Sequence, residues 1–309
     1  VTVFGPSLAP PLNVVPFGGA KAGPFPLCNY DEVVLGDGPV GYWRLDEPAS
    51  YTKPGGARLI VNDSTGVGNL GDSAFGGTLQ LGQVDAPGKL SGTSFLGVST
   101  GGSGTNSAAF VAITTGCPGG MPYLLDQIFD NADFSYEALV KPNPLAFTGA
   151  TANQYATCVV GTSSPSGGAL STFWAGIFGP LFWTSSGVWG AAGAGWGFQF
   201  FPIYMSHFEE YWNTGVVSLD DAWHHIVFTG TAATRNATFY LDGVVRATHN
   251  FGPFWLNKGG NVGGVSLGGD SNGGAFAGSY SGVSRIAFYP TVLSAAQVAR
   301  HYRALTTVA

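Results

Sequence analysis

The chain has 309 residues, 45% hydrophobic and 14% aromatic, a content too apolar for a disordered segment despite 49 Gly and 19 Pro. Only 10% of residues are charged, where a soluble domain carries about a quarter, and the net charge of −6 comes without any Lys/Arg cluster. A groove that tracks phosphates needs clustered positive charge, so nucleic acid is not an expected partner.

All-β sandwiches of about 200 to 250 residues are often one domain, and the many tight turns implied by Gly and Pro predict one large domain here. Residues 1–29 carry Pro6, Pro10, Pro11, Pro16, Pro24 and Pro26 with Val, Leu and Phe between them. Proline fixes φ and cannot donate to a ladder, which predicts an extended arm. The arm is either a solvated tail or docked through Phe4, Phe17 and Phe25. Val1-Thr-Val-Phe-Gly-Pro6 has neither a basic nor a continuous apolar region, so it does not read as a signal peptide.

Asn29, with Glu32 three residues on, has the spacing of a capping box and predicts a short helix that Gly38-Pro39 stops. Val40 to Leu45 reads as the first strand. Between Gly55 and Gly120, short apolar pieces alternate with turns, including the low-complexity run 101–107 and a strand over Phe110 to Thr114. Tyr123 to Asp130 reads as a helical turn, and Ser135 to Lys141 as a strand ended by Pro142.

From Pro142 to Phe208 there is no charged side chain, and the segment holds Trp174, Trp183, Trp189 and Trp196 among Phe and Gly. Pro180 and Pro202 break any span of about 20 apolar residues, so no membrane span is expected. Two readings stand. The segment supplies buried strands with a self-packed loop, or it is an aromatic insertion over 161–196 that packs on another subunit.

Trp223 to Thr248 reads as a three-stranded meander: His224 to Thr229, a polar turn at Arg235 and Asn236, Ala237 to Leu241, then a third strand. Asp242-Gly243 is a two-residue loop of the type I′ kind, which needs positive φ at both positions. Val265 to Leu267 and Ser284 to Tyr289 read as closing strands. Ser294 and Gln297 predict a second capping box, with Leu293 and Val298 as its hydrophobic staple.

Trp223-His-His followed by Phe239-Tyr-Leu-Asp-Gly243 resembles the central meander of laminin-G-like domains in the concanavalin A-like superfamily. Phe134 to Pro142, Leu267 to Asp270 and Phe276 to Tyr289 are similar to flanking strands of that family. The Tyr42-Trp-Arg-Leu45 run is similar to the start of such modules in bacteriophage minor tail proteins. The resemblance spans roughly residues 30 to 305 and implies an all-β, concanavalin A-like jelly-roll sandwich of two antiparallel sheets. It also implies short N- and C-terminal helices; the extended N-terminal arm is read from the prolines. Val227, Phe239, Leu241 and Ile286 are expected to point into the sandwich.

Glucanase relatives place alternating carboxylates on one strand, and retaining glycosidases need two carboxylates about 5 to 5.5 Å apart. Glu209-Glu210 and Asp220-Asp221 are adjacent pairs, whose members would diverge on a strand, so no enzyme is expected. His224 and His225 diverge for the same reason, one to the core and one to the surface. The three cysteines, Cys28, Cys117 and Cys158, allow one disulfide at most and leave one thiol over; reduced thiols and a secreted disulfide scaffold stay open.

The resemblance implies a calcium ion on a rim loop, for which Asp63, Asp270 and Asn272 are the candidates; turn formation by the same side chains is the other reading. Phe4, Phe17, Phe173, Trp174, Phe178, Phe182, Trp183 and Trp189 are the expected contacts between subunits. The expected setting is a virion, with copies of the same chain, neighbouring virion proteins and host-surface glycan as partners. A secreted carbohydrate-binding lectin is the alternative.

Overall fold

A computed structural model describes residues 29–46, 60–61, 64–65, 70–74, 78–80, 96–98, 110–115, 132–142, 156–163, 173–178, 182–183, 189–190, 195–200, 210–216, 220–252, 264–267 and 280–306. The described strands are β1 (Gly41–Trp43), β2 (Ile60–Val61), β3 (Leu70–Ala74), β4 (Thr78–Gln80), β5 (Leu96–Val98), β6 (Phe110–Thr115), β7 (Phe134–Pro142), β8 (Ala156–Ser163) and β9 (Phe173–Phe178). They continue with β10 (Phe182–Trp183), β11 (Trp189–Gly190), β12 (Gly195–Phe200), β13 (Glu210–Asn213), β14 (His224–Thr231), β15 (Asn236–Leu241), β16 (Val244–Asn250), β17 (Gly264–Leu267) and β18 (Tyr280–Tyr289). Helix α1 spans Tyr30–Gly36 and helix α2 spans Ala295–Thr306.

Two antiparallel sheets organise these strands: a six-stranded sheet in the order β1-β18-β7-β14-β15-β16, and an eight-stranded sheet in the order β13-β12-β9-β8-β17-β6-β3-β2. The last strand, β18, lies between β1 and β7, so the two ends of the domain meet in one sheet. Both helices then dock beside that junction.

The central strands of the six-stranded sheet are buried on both faces, and the alternation of β7 shows why. Phe134, Tyr136 and Ala138 lie in register with Gly230, Phe228 and Ile226, while Glu137 and Leu139 lie in register with Val227 and His225. Successive side chains leave a strand on opposite faces. The first set faces the other sheet: the Phe228 ring lies 4.6 Å from that of Phe239, 6.4 Å from that of Tyr136 and 6.1 Å from that of Trp212 on β13.

The second set faces the helices. Leu139, Val227, Tyr240, Ala287 and Tyr289 form one cluster with Tyr30 and Val34 of α1 and with Leu293, Val298 and Leu305 at α2. All four residues expected to point into the sandwich are buried. They divide, however, between the two faces. Val227 stands in register with Glu137 and Tyr240 and packs under the helices, because helices cover the outer face that an isolated sandwich would expose to water.

Local signals place most ends. The α1 capping box forms in both directions between Asn29 and Glu32, and Ser294 and Gln297 make the equivalent bonds ahead of α2. The strand expected over Val40 to Leu45 narrows to Gly41–Trp43, since Leu45 turns to φ 58°. Strand β18 instead begins before the expected Ser284, at Tyr280, and is bulged between Ser284 and Ala287, where Arg285 takes φ 48°.

The Asp242-Gly243 turn has φ 54° and 77°, the positive pair that type I′ geometry demands. A Cβ added at Gly243 would lie 2.8 Å from Cβ of Tyr302 on α2. We expect Gly243→Ala to cost about 1–2 kcal/mol from the left-handed backbone, with a further loss from the displaced Tyr302. A denaturant midpoint equal to that of the wild type would refute the packing role of this turn.

The charge-free aromatic segment builds sheet. Strand β9, which carries Phe173, Trp174 and Phe178, pairs with β8 on one side and β12 on the other inside the eight-stranded sheet. Phe182 and Trp183 pair with Gly190 and Trp189 in a separate two-stranded ribbon. The contacts of these side chains lie outside the described residues. So do the arm with Phe4 and Phe17, the segment 123–130, Cys28, Cys117, Asp63, Asp270 and Asn272. No described helix is long and apolar enough to cross a membrane.

Candidate functional site

The chemistry-bearing side chains among the described residues gather between the six-stranded sheet and the two helices. Glu137 stands mid-strand in β7, on the face that β7 turns to the helices, and is fully buried. His225 reaches the same face from β14 and Tyr289 from the end of β18. Helix α2 buries Val298, His301 and Leu305, spaced three and four residues apart on one stripe, so a histidine is carried into the interior by an apolar face. Asp37, at the C-cap of α1, comes from the opposite side.

These groups make one continuous network. Oε2 of Glu137 accepts from Nε2 of His225 at 3.0 Å and from Nδ1 of His301 at 2.9 Å, while Oε1 accepts from the Tyr289 hydroxyl at 2.6 Å. The other ring nitrogen of His301 donates to Oδ2 of Asp37 at 2.8 Å. Arg300 then donates to both Asp37 oxygens, at 2.5 and 2.6 Å. His301 faces a carboxylate with each nitrogen, an arrangement that favours the doubly protonated imidazolium. A neutral ring has one donor only.

The electrostatics follow from that charge. Burial pushes the Glu137 carboxyl up, but the charge of His301 and the hydrogen bonds from His225 and His301 outweigh it and hold the group well below the usual carboxylate range. Burial pulls His301 down, and the Glu137 charge with the bonds to Glu137 and Asp37 more than reverses this, so its value is raised. Asp37 is lowered in the same manner: burial opposes, and bonds from Arg300 and His301 win. Burial and the Glu137 charge raise Tyr289, which keeps its hydrogen and donates it.

A second, more open clasp repeats the pattern. His224 sets Nδ1 2.9 Å from Asp242 and Nε2 3.0 Å from Asp220, and its value is raised because these bonds outweigh its burial. The two histidines therefore diverge as adjacent strand residues should, His225 into the interior and His224 towards the rim. Asp220 and Asp221 precede β14 in a bend and are not on a strand. Arg285, buried at the β18 bulge, is held by Asp31 at 3.3 Å and by the Ser284 hydroxyl at 3.0 Å.

The ligand atoms of Glu137, His225 and His301 lie within 4.8 Å of one another, so a metal has to be considered. Two His and one Glu is a set that catalytic zinc takes, with water in the fourth position. Here, however, both ring nitrogens are turned onto one carboxylate oxygen, Oε2 of Glu137, at 3.0 and 2.9 Å, and all three residues are buried away from water. Two nitrogens would also be poor partners for calcium, which takes oxygen. The distances are those of hydrogen bonds, and the cluster acts as a clasp joining α1 and α2 to the sheet.

The residues that the sequence singles out for calcium lie outside the described residues, as do the side-chain contacts of those singled out for subunit contact, and the network is built from other residues. Glu137, His301, Asp37, Arg300 and the Tyr289 hydroxyl are the members that sequence reasoning missed. A signal existed for two of them. Glu137 alternates with Leu139 in a mostly apolar strand, and His301 sits on the same helical stripe as Val298 and Leu305.

The family model for Laminin_G_3, concanavalin A-like lectin/glucanases superfamily, matches residues 122–299, more than half of the chain. No curated protein matches the sequence. Among solved structures, the chain is similar to the binding domain of botulinum neurotoxin DC in complex with rat synaptotagmin II, at 10% identity and TM-score 0.50 over 87% of this chain and 52% of that one. It is also similar to domain 4 of AbnA, a GH43 extracellular arabinanase from Geobacillus stearothermophilus, in complex with arabinotriose, at 15% identity and TM-score 0.49 over 85% and 98% of the two chains. A third is the Ruminococcus gnavus IT-sialidase CBM40 bound to α2,3-sialyllactose, at 15% identity and TM-score 0.41 over 58% and 86%. At these identities the likeness concerns the fold alone, and it is the family model over the meander, β18 and the start of α2 that assigns the chain: it belongs to the Laminin_G_3 family of the concanavalin A-like lectin/glucanases superfamily.

Proposed function

We propose that this chain is a non-enzymatic structural or adhesion module of a bacteriophage virion, at the tail or capsid surface, whose sandwich makes contacts with protein or glycan. The observation that carries the non-enzymatic part is the fate of Glu137. It is the one fully buried carboxylate among the described residues, and its two oxygens accept from Tyr289, His225 and His301. A glycosidase acid or nucleophile has to reach a sugar, and a second carboxylate has to stand about 5 to 5.5 Å away in the retaining case. Glu137 holds helices instead.

The virion setting is supported by the resemblance of the Tyr42-Trp-Arg-Leu45 run to phage tail modules and by a composition with only 10% charged residues, suited to lying against other protein. Mass spectrometry of density-purified particles is the test. The chain is expected to band with the virions in a fixed ratio to the other structural proteins. Recovery only as free protein would defeat this reading. No turnover is expected on a β-glucan panel, and turnover abolished by Glu210→Gln would overturn the non-enzymatic assignment.

Self-association through the arm and the aromatic strands belongs to the same proposal. Removing residues 1–27 should lower the oligomeric mass seen by light scattering while leaving thermal unfolding of the sandwich in place. The lectin branch of the superfamily motivates a second reading, a secreted carbohydrate-binding module. Glycan-array binding by a chain found outside particles would favour it.

A further inference from the structure

We propose that α2 is a proton-held latch: the His301 imidazolium, seated between Glu137 and Asp37, keeps the C-terminal helix on the sheet, and loss of its proton at alkaline pH releases the helix while the two sheets stay together.

The geometry supplies the reason. A neutral imidazole has one N–H, so one of the contacts, at 2.9 Å to Glu137 or 2.8 Å to Asp37, would set a lone pair against a carboxylate oxygen. Neither acid can take up a proton cheaply to relieve this. Glu137 is also held ionised by His225 from β14 and bonded by Tyr289 from β18, and Asp37 by Arg300. Tyr30 of α1 packs its ring against both histidines, 6.0 Å from His225 and 6.3 Å from His301. His301 is fully buried, so water reaches the pair only if the helix moves.

The sheet also has cohesion of its own, apart from the face that the helix covers. Strands β7, β14 and β18 are hydrogen-bonded to one another, and the Phe228 cluster lies on their opposite face. The direction with pH follows from linkage. His301 is raised, so its contribution is complete below the ordinary histidine value of about 6.5 and is lost as pH rises through the folded value. Glu137 and Asp37 are lowered, so theirs is present above about pH 4 and is lost only as pH falls through their folded values. Docking is tightest between those limits. His224, between Asp220 and Asp242, titrates in the same sense and lies next to the Gly243 turn on which Tyr302 rests.

Residue-resolved amide exchange on the full chain, corrected for intrinsic rates between pH 6 and 9, tests the latch. The amides of α2 should lose protection about tenfold per pH unit above roughly 6.5, the slope of one proton, while β7 and β14 stay protected. His301→Gln should abolish that slope, and His224→Gln should keep it. Nitrogen NMR of the wild-type rings should show both His301 nitrogens protonated at pH 7, a readout that stands if the glutamine variant does not fold. Flat protection of α2, exchange of α2 in step with β7 and β14, an unchanged slope in His301→Gln, or a neutral His301 at pH 7 would each overturn the proposal.

Discussion

Glu137→Ala is expected to destabilise the protein by about 3–5 kcal/mol, the cost of leaving a buried charge without its partner. The substitution strands the His301 imidazolium beside Asp37 alone and takes the acceptor from His225 and Tyr289 at the same time. Three donors lose their partner in one step. A buried ion pair is not by itself a large net source of stability, because desolvating both members offsets most of their attraction. Hence replacing Glu137, His225 and His301 together with apolar residues of similar volume should cost far less than the single change. Urea unfolding of both variants decides the matter. A single-variant loss under about 1 kcal/mol would mean that Glu137 is not holding the helices.

The second large effect is expected at Phe228. Its ring is fully buried at the meeting of the two sheets, 4.6 Å from Phe239 and 6.1 Å from Trp212, and stacks on Tyr136 at 6.4 Å. Phe228→Ala removes a large side chain and leaves a cavity that three fixed rings cannot fill, which places the loss at about 3–5 kcal/mol. The same truncation at Val245, 46% exposed on the edge strand β16, should stay within about 0.5 kcal/mol. If the two changes prove equal, the face between the sheets is not packed as described.

Elements whose cause is local were legible in the sequence. Asn29 with Glu32 and Ser294 with Gln297 form capping boxes because their partners are three residues apart, and Asp242-Gly243 turns because of its own backbone preferences. The meander from Trp223 to Thr248 follows for the same reason, since its strands pair with their sequence neighbours. Family motifs extended this to the sandwich.

What only the tertiary structure decided is which face each buried residue serves and which polar groups meet. Val227 is apolar and alternates correctly, yet a period of two cannot say that helices cover the outer face of its sheet. The clasp was hidden for a related reason: Glu137 and His301 are 164 residues apart, and neither carries a neighbour that marks it as half of a pair. A charge is stable in that interior only where chain closure brings the opposite charge to it, and closure through β18 and α2 is a property of the whole fold.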